Sequence, residues 1–184
     1  MGVIAERAQA FAEIQEYVVK GAREIFAAYG MPVEYSPVGA LSIKGPAVMA
    51  VIGYAAGNMR GALLIVTSRE VVCALQPEEV RSTFKSSEES LRDVLGEFSN
   101  MLAGRVKNEL ISRRIAPLLT TPTTVFGDDL QLPVPTSGMS AWHNFNGSPG
   151  SIFVRFDATF ETEFVLATPP DPPAPVAEGE VVLF

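Results

Sequence analysis

Asp93, Glu97, Asn100, Gly104 and Lys107 follow one another at steps of three or four residues. On a helix, at about 100° per residue, they fall within one stripe roughly 80° wide. A carboxylate in such a stripe can pair with a cation or accept a proton. A carboxamide can donate to an oxyanion or accept from a water, and it brings no charge that repels an anion. Gly104 puts a gap in the stripe. Glycine on an exposed helix face costs about 1 kcal/mol against alanine, and it leaves room for another surface to come close. Gly96, at the edge of the stripe, leaves the same room. Acidic and amide residues also cover the wet face of any amphipathic helix, so the stripe alone names no reaction.

Few other residues compete for a chemical role. His143 is the only histidine and Cys73 the only cysteine. Without a Cys/His cluster, the usual zinc sites are excluded. A Ser-His-Asp triad would have to use His143, which lies in the turn-rich run TSGMSAWHNFNGSPG with no nucleophile-elbow pattern beside it. A ligand-binding loop around Trp142 and His143 has no motif behind it. Cys73 sits in the apolar run EVVCAL and reads as a buried thiol with no internal disulfide partner. The chain carries 21 acidic and 14 basic residues, a net charge of −7. Arg113 and Arg114 are adjacent but make no basic groove, which argues against nucleic acid as partner. No apolar run approaches the roughly 20 residues of a membrane span. The N-terminal stretch lacks a signal-peptide pattern, so the expected compartment is the cytoplasm.

The elements that position the stripe are legible from periodicity. Residues 5–29 lack proline and place Phe11, Gln15, Val18, Ala22, Ile25, Phe26 and Tyr29 at helical spacing. Gly30 and Pro32 stop that helix. Residues 48–54 and 61–67 are short, branched and apolar, and the segment AAGNMR joins them as a hairpin. A short helix is expected over 68–75. Ser86 or Ser87 caps a second long helix over 88–115, with Glu88 and Glu89 in its first turn. Leu91, Leu95, Phe98, Leu102 and Val106 form its apolar side, opposite the stripe. A short strand follows at 122–126, then a long turn-rich loop over 127–150. Residues 152–164 alternate as a strand, with Arg155, Asp157, Thr159, Glu161 and Glu163 on its solvent face. Three carboxylates there could hold a cation; a solvated edge is the expectation. From residue 168 the chain is proline-rich, favouring an extended tail, with 181–184 apolar and able to dock as a strand or to fray. The length suits one core. The predicted organisation is one domain over 1–167 followed by the tail, 168–184. Strands follow one another in hairpins, which predicts an α/β domain of the α+β type: two long helices on one face of a largely antiparallel sheet of about six strands.

Beyond these local readings, the chain resembles the CheC/CheX/FliY-type chemotaxis phosphatases. Their motif is Asp or Ser, three residues, Glu, two residues, Asn, then twenty-one residues and Pro; here Asp93, Glu97, Asn100 and Pro122 match it. The surrounding GEFSNMLAGRVKNEL and TTPTTVFG fit as well, and GYAAGNMRGALLIVTS resembles the strand pair before this helix in CheX-like proteins. CheC and FliY proteins carry a Glu/Asn pair on each of two helices. The first helix here has Glu13, Glu16 and Glu24 but no asparagine, so the likeness is to single-site CheX.

The resemblance implies hydrolysis of the aspartyl phosphate on a CheY-like response regulator. Asn100 would enter the regulator's site and orient the attacking water; Glu97 would pair with the regulator's lysine, with Asp93 and Gly104 against the same partner. Pro122 would fix the turn into the next strand. The Mg²⁺ would belong to the regulator, so no cofactor or metal of its own is expected. A homodimer through sheet edges is implied by the likeness alone. A non-catalytic regulator-binding module of the same fold is the alternative.

Overall fold

The computed structural model describes residues 2–38, 45–76, 78–81, 87–130, 132, 138–161 and 164–168. Ser86, Glu163 and the proline-rich tail beyond residue 168, including the apolar run at 181–184, lie outside the described residues.

Among the described residues, eleven elements occur in the order α1 (Gly2–Ala28), β1 (Glu34–Val38), β2 (Pro46–Ala56), β3 (Met59–Ser68), α2 (Arg69–Ala74), α3 (Glu78–Arg81), α4 (Glu88–Ser112), β4 (Leu118–Leu119), β5 (Thr123–Asp128), β6 (Met139–Asn146) and β7 (Ser151–Phe160). The strands form one seven-stranded sheet in the order β1-β6-β7-β3-β2-β4, and β5 also pairs with β2. Every pairing is antiparallel. The fold class is the expected one: α1 and α4 pack on the sheet and share its main core, which includes Phe26, Phe98, Ile52, Ile65, Phe145 and Phe156.

The hairpin is where AAGNMR places it, with Gly57 and Asn58 as the two turn residues between Ala56 and Met59. Ser87 caps α4 by accepting from the Ser90 amide at 3.2 Å. The first long helix ends in a Schellman turn. Gly30 sits at φ +66, its amide donates to Ala27, and that of Met31 donates to Phe26. The second stops at Ser112 and not at Ile115. Arg114 takes φ +62 there, and the amides of Arg114 and Ile115 return to Ile111 and Leu110, closing the last turn early.

Three expectations need correction. The run around Trp142 and His143 is not a loop but strand β6, paired on both sides by β1 and β7. Its serine, asparagine and glycine content resembles a loop, but two flanking ladders decide the conformation. Trp142 and His143 are buried. The far face of β7 is not a row of solvated charges either. Arg155 is only 6% exposed. It lies over the Trp142 ring at 5.1 Å and reaches Asp157 Oδ2 at 3.0 Å, while Ser140 donates to Asp157 Oδ1 at 2.6 Å. Asp157 is therefore committed to its neighbours, and β7 ends at Phe160, before Glu161. On that far face a second cluster of Ala47, Val66 and Trp142 gathers Val38, Met49, Leu130, Leu132 and Phe153. Finally, Cys73 is half-buried against the core, where full burial was expected.

Candidate functional site

The polar stripe lies on α4, and the packing of that helix orients it. Leu91, Leu95, Phe98 and Leu102 are wholly buried, and Val106 nearly so. Burying such side chains stabilises by roughly 1.5–3 kcal/mol each, which fixes the rotation of the helix about its axis. The one polar side chain on the inner face is Ser99. Its hydroxyl donates back to the Leu95 carbonyl at 2.6 Å, the local bond open to a buried serine in a helix. Asp93, Glu97 and Asn100 consequently point outward and are exposed.

The first helix braces α4 on one side. A Cβ on Gly21 would stand 3.2 Å from Leu102 Cδ1 and 3.3 Å from Arg105 Cβ. Glycine at this crossing lets the two helices approach closely. Above and below it, Lys20 meets Glu109 at 2.7 Å, Glu24 meets Arg105, and Glu13 meets Arg113. Phe26 packs on Phe98 with ring centroids 5.3 Å apart. At the C-terminal end of α1, the Tyr29 hydroxyl donates to Met101 Sδ at 3.6 Å. Burial, and then the Glu97 charge, push the Tyr29 phenol above its ordinary value. Tyr29 thus forms the shoulder of the stripe beside Glu97, although its spacing marks it only as core.

On the other side stands the outer edge of the sheet. Pro122 Cβ lies 4.0 Å from the Cβ position of Gly96. Gly96 therefore faces this chain's own proline, not open room for a partner as the sequence reading has it. Gly104 does face open space, with nothing within 4 Å of its Cβ position. Arg92 lies over the Phe126 ring at 5.3 Å. Pro122 immediately precedes β5, at the turn into the strand. Lys107, at the end of the stripe, is half-buried and lines a small apolar cleft with Pro117 and Leu119.

The side chains of Asp93, Glu97 and Asn100 make no hydrogen bond or ion pair with another described residue. On α1 and at the C-terminal end of α4, by contrast, Glu13, Lys20, Glu24, Arg105, Glu109 and Arg113 are all paired. Among the described residues no group of three His, Cys, Asp or Glu could hold a metal ion, and no helix is long and apolar enough to cross a membrane. His143 is remote from the stripe in role. Its Nε2 lies 2.7 Å from Gln15 Oε1 and its Nδ1 3.1 Å from the Tyr35 hydroxyl. Burial lowers its pKa to about 4, so the ring is a neutral strut between α1 and the sheet. The stripe is an open ridge carrying a carboxylate and a carboxamide one turn apart. Such a ridge can act on a group that another molecule brings to it.

The family model for the chemotaxis phosphatase CheX matches residues 48–146. Solved structures of the same fold include the chemotaxis protein CheX from Desulfovibrio desulfuricans, at 18% identity and TM-score 0.68, with 80% of this chain and 99% of that chain covered. CheX from Vibrio vulnificus is 16% identical at TM-score 0.66, with 80% and 99% covered. The CheX of a CheX–CheY–BeF3–Mg²⁺ complex from Borrelia burgdorferi is 19% identical at TM-score 0.60, with 78% and 96% covered. No curated protein sequence gives a significant match. The family model spans strands β2 and β3, the whole of α4 and the strand that follows it, and with them the Glu97/Asn100 ridge and Pro122; this chain belongs to the chemotaxis phosphatase CheX family.

Proposed function

We propose that this protein hydrolyses the aspartyl phosphate of a CheY-like response regulator, with Asn100 as the catalytic group and Glu97 as the principal docking residue. The observation that carries this reading is the outward, unengaged pair Glu97 and Asn100 on a helix held rigidly from behind, with Pro122 at the family spacing.

The chemistry suits an amide. The acyl phosphate is already reactive, and its hydrolysis needs a water in line with the bond to be broken. The Asn100 carboxamide accepts from that water or donates to a phosphoryl oxygen without bringing charge. The water oxygen bonds to phosphorus, the bond from phosphorus to the aspartate oxygen breaks, and the aspartate leaves as a carboxylate. The water's proton passes to the phosphate product or to solvent. Positioning alone can supply several kcal/mol. Glu97, aimed at an anion, would be repelled; paired with a lysine beside the phosphate it anchors the complex. Asp93 adds a second carboxylate to the same face, and Gly104 lets the partner's backbone come close. The regulator carries its own Mg²⁺, and the ridge needs no cofactor of its own. The complex of the Borrelia burgdorferi CheX with CheY supports this kind of partner for the fold. In this reading the protein acts in the cytoplasm, and two copies can pair through an outer sheet edge.

The test is phosphate release from a panel of phosphorylated CheY-like regulators, with and without the purified chain. Acceleration is expected with at least one. Binding without acceleration would overturn the enzyme in favour of a regulator-binding module, and neither binding nor acceleration would overturn both.

A further inference from the structure

The outer edge of β2 is not covered by one continuous strand. Tyr54 and Ala55 pair with Leu119 and Leu118 of β4, and residues 46–51 pair with β5 from Asp128 back to Thr123. Between them, Ile52 and Gly53 face three residues, Thr120, Thr121 and Pro122. The extra residue makes this a bulge, the device by which sheets re-aim a side chain next to functional sites.

One residue secures the bulge. The Thr120 amide donates to the Gly53 carbonyl at 2.9 Å, and the Gly53 amide donates to Thr120 Oγ1 at 2.9 Å. The hydroxyl stands in for the carbonyl that a regular ladder would offer. The fit is tight, because a Cβ on Gly53 would lie 3.2 Å from Thr120 Cγ2. Beyond the clamp the chain leaves the ladder, and Pro122 meets the flank of α4 at Gly96. Gly96 precedes Glu97 and lies one turn before Asn100, while Thr120 and Thr121 are exposed and Pro122 is half-exposed.

We infer that Thr120 is a positioning residue for the docking face: it clamps the 120–122 connector beside the catalytic ridge, so that Thr121 and Pro122 meet the response regulator next to Asn100. The inference rests on the phosphatase reading for its partner, but the clamp can be read without it.

Thr120→Val keeps the shape and removes the hydroxyl; Thr120→Ser keeps the hydroxyl and removes the methyl. Amide NMR spectra of the two variants read the position of the connector directly. Thr120→Val is expected to shift the amides of Gly96, Glu97 and Asn100 and to speed hydrogen exchange at Gly53, while Thr120→Ser leaves the α4 amides in place. In steady-state dephosphorylation, Thr120→Val should raise KM about tenfold with kcat within about twofold, the mark of lost binding and not of lost chemistry. A variant that merely unfolds in part would lower apparent kcat and leave KM alone. Gly53→Ala should raise KM as well, and Gly53→Ala/Thr120→Ser should recover it, because the crowding methyl is gone. Unmoved α4 amides in Thr120→Val overturn the inference, as do moved amides with an unchanged KM. If the wild-type chain accelerates phosphate release from no regulator, the phosphatase reading falls. The amide shifts then decide the clamp alone: movement in Thr120→Val but not in Thr120→Ser supports it, and any other pattern overturns it.

Discussion

The two long helices are built alike and used differently. Both α1 and α4 bury one apolar side on the same face of the sheet, and both carry charged residues on the other. On α1 the charges that face α4 are engaged. Glu13, Lys20 and Glu24 reach across to Arg113, Glu109 and Arg105, and the buried Gln15 holds His143. Along the middle of α4, the side chains of Asp93, Glu97 and Asn100 bond to no other described residue, and Gly104 leaves a gap between them and Lys107. Polar groups that satisfy one another hold a structure together. Polar groups held in fixed positions and left open are available to a partner, and the first helix supplies the fixity that makes the second usable.

The comparison breaks most visibly at Asn100. Asn100→Ala should lower the rate of regulator dephosphorylation by about 10²-fold or more, the scale of a lost positioning contact. Regulator binding should persist, and circular dichroism should be unchanged, since alanine favours the helix. Full activity in the folded variant would remove the carboxamide from the mechanism.

The α1 side should answer to pH and not to substrate. His143 titrates at about 4 when folded, against an ordinary value near 6.5. The folded state therefore binds its proton less readily than the unfolded chain does. The stability linked to this group is complete above pH 6.5 and is lost as pH falls toward 4, by roughly 3 kcal/mol in all. Urea titrations of wild type and His143→Gln across that window should show a steeper loss in wild type. Equal slopes would mean that the ring is not a neutral strut.

Glu97 and Arg113 give mirrored outcomes of similar size. On the proposed function, Glu97→Ala should remove a charge-assisted contact to the regulator, worth roughly 1.5–3 kcal/mol of affinity. The loss should be larger at low salt, where screening is weak, with stability unchanged. Arg113 binds Glu13, donates to the Tyr17 hydroxyl at 2.9 Å and donates to the Ala167 carbonyl at 2.7 Å. Arg113→Ala should cost about 1.5–3 kcal/mol of stability by the same measure of charged hydrogen bonds, while leaving KM and kcat intact well below the melting temperature. A stability loss in Glu97→Ala, or a KM change in Arg113→Ala, would erase the division of labour.

Sequence periodicity was enough for the ridge, because helix rotation follows from the apolar side: Leu95, Phe98 and Leu102 fix where Glu97 and Asn100 must point. It was enough for the hairpin too, where Gly57 and Asn58 mark the turn. What it could not carry were decisions made between distant segments. β1 contains Pro37 and survives as an edge strand. β6 exists because two neighbours pair with it. Arg155 looks solvated until Trp142 covers it. The flanks of the ridge were hidden for the same reason. Tyr29 carries only a core signal, and Thr120 is an ordinary threonine until Gly53 lies 67 residues away in sequence and 2.9 Å away in space. The one cue was a glycine inside a strand, which marks a bulge or a close backbone approach.

The smallest expected effect sets the two uses of a helix against each other at one residue. Gly104 sits within α4 with no atom near its Cβ position. A residue there that served only the fold would be alanine. Gly104→Ala should stabilise the protein by about 0.5–1 kcal/mol through helix propensity and a less entropic unfolded chain, raising Tm by about 1–4 °C for a chain of this size. If the gap exists for a partner's backbone, the same methyl should weaken regulator binding by about five- to tenfold, near 1 kcal/mol. Thermal melts and a binding isotherm on one preparation measure both. A more stable protein with a poorer grip on its partner would show that the glycine is kept against the interest of the helix. A more stable protein that binds as before would reduce the gap to an accident of the surface and confine the docking face to Asp93, Glu97 and Asn100.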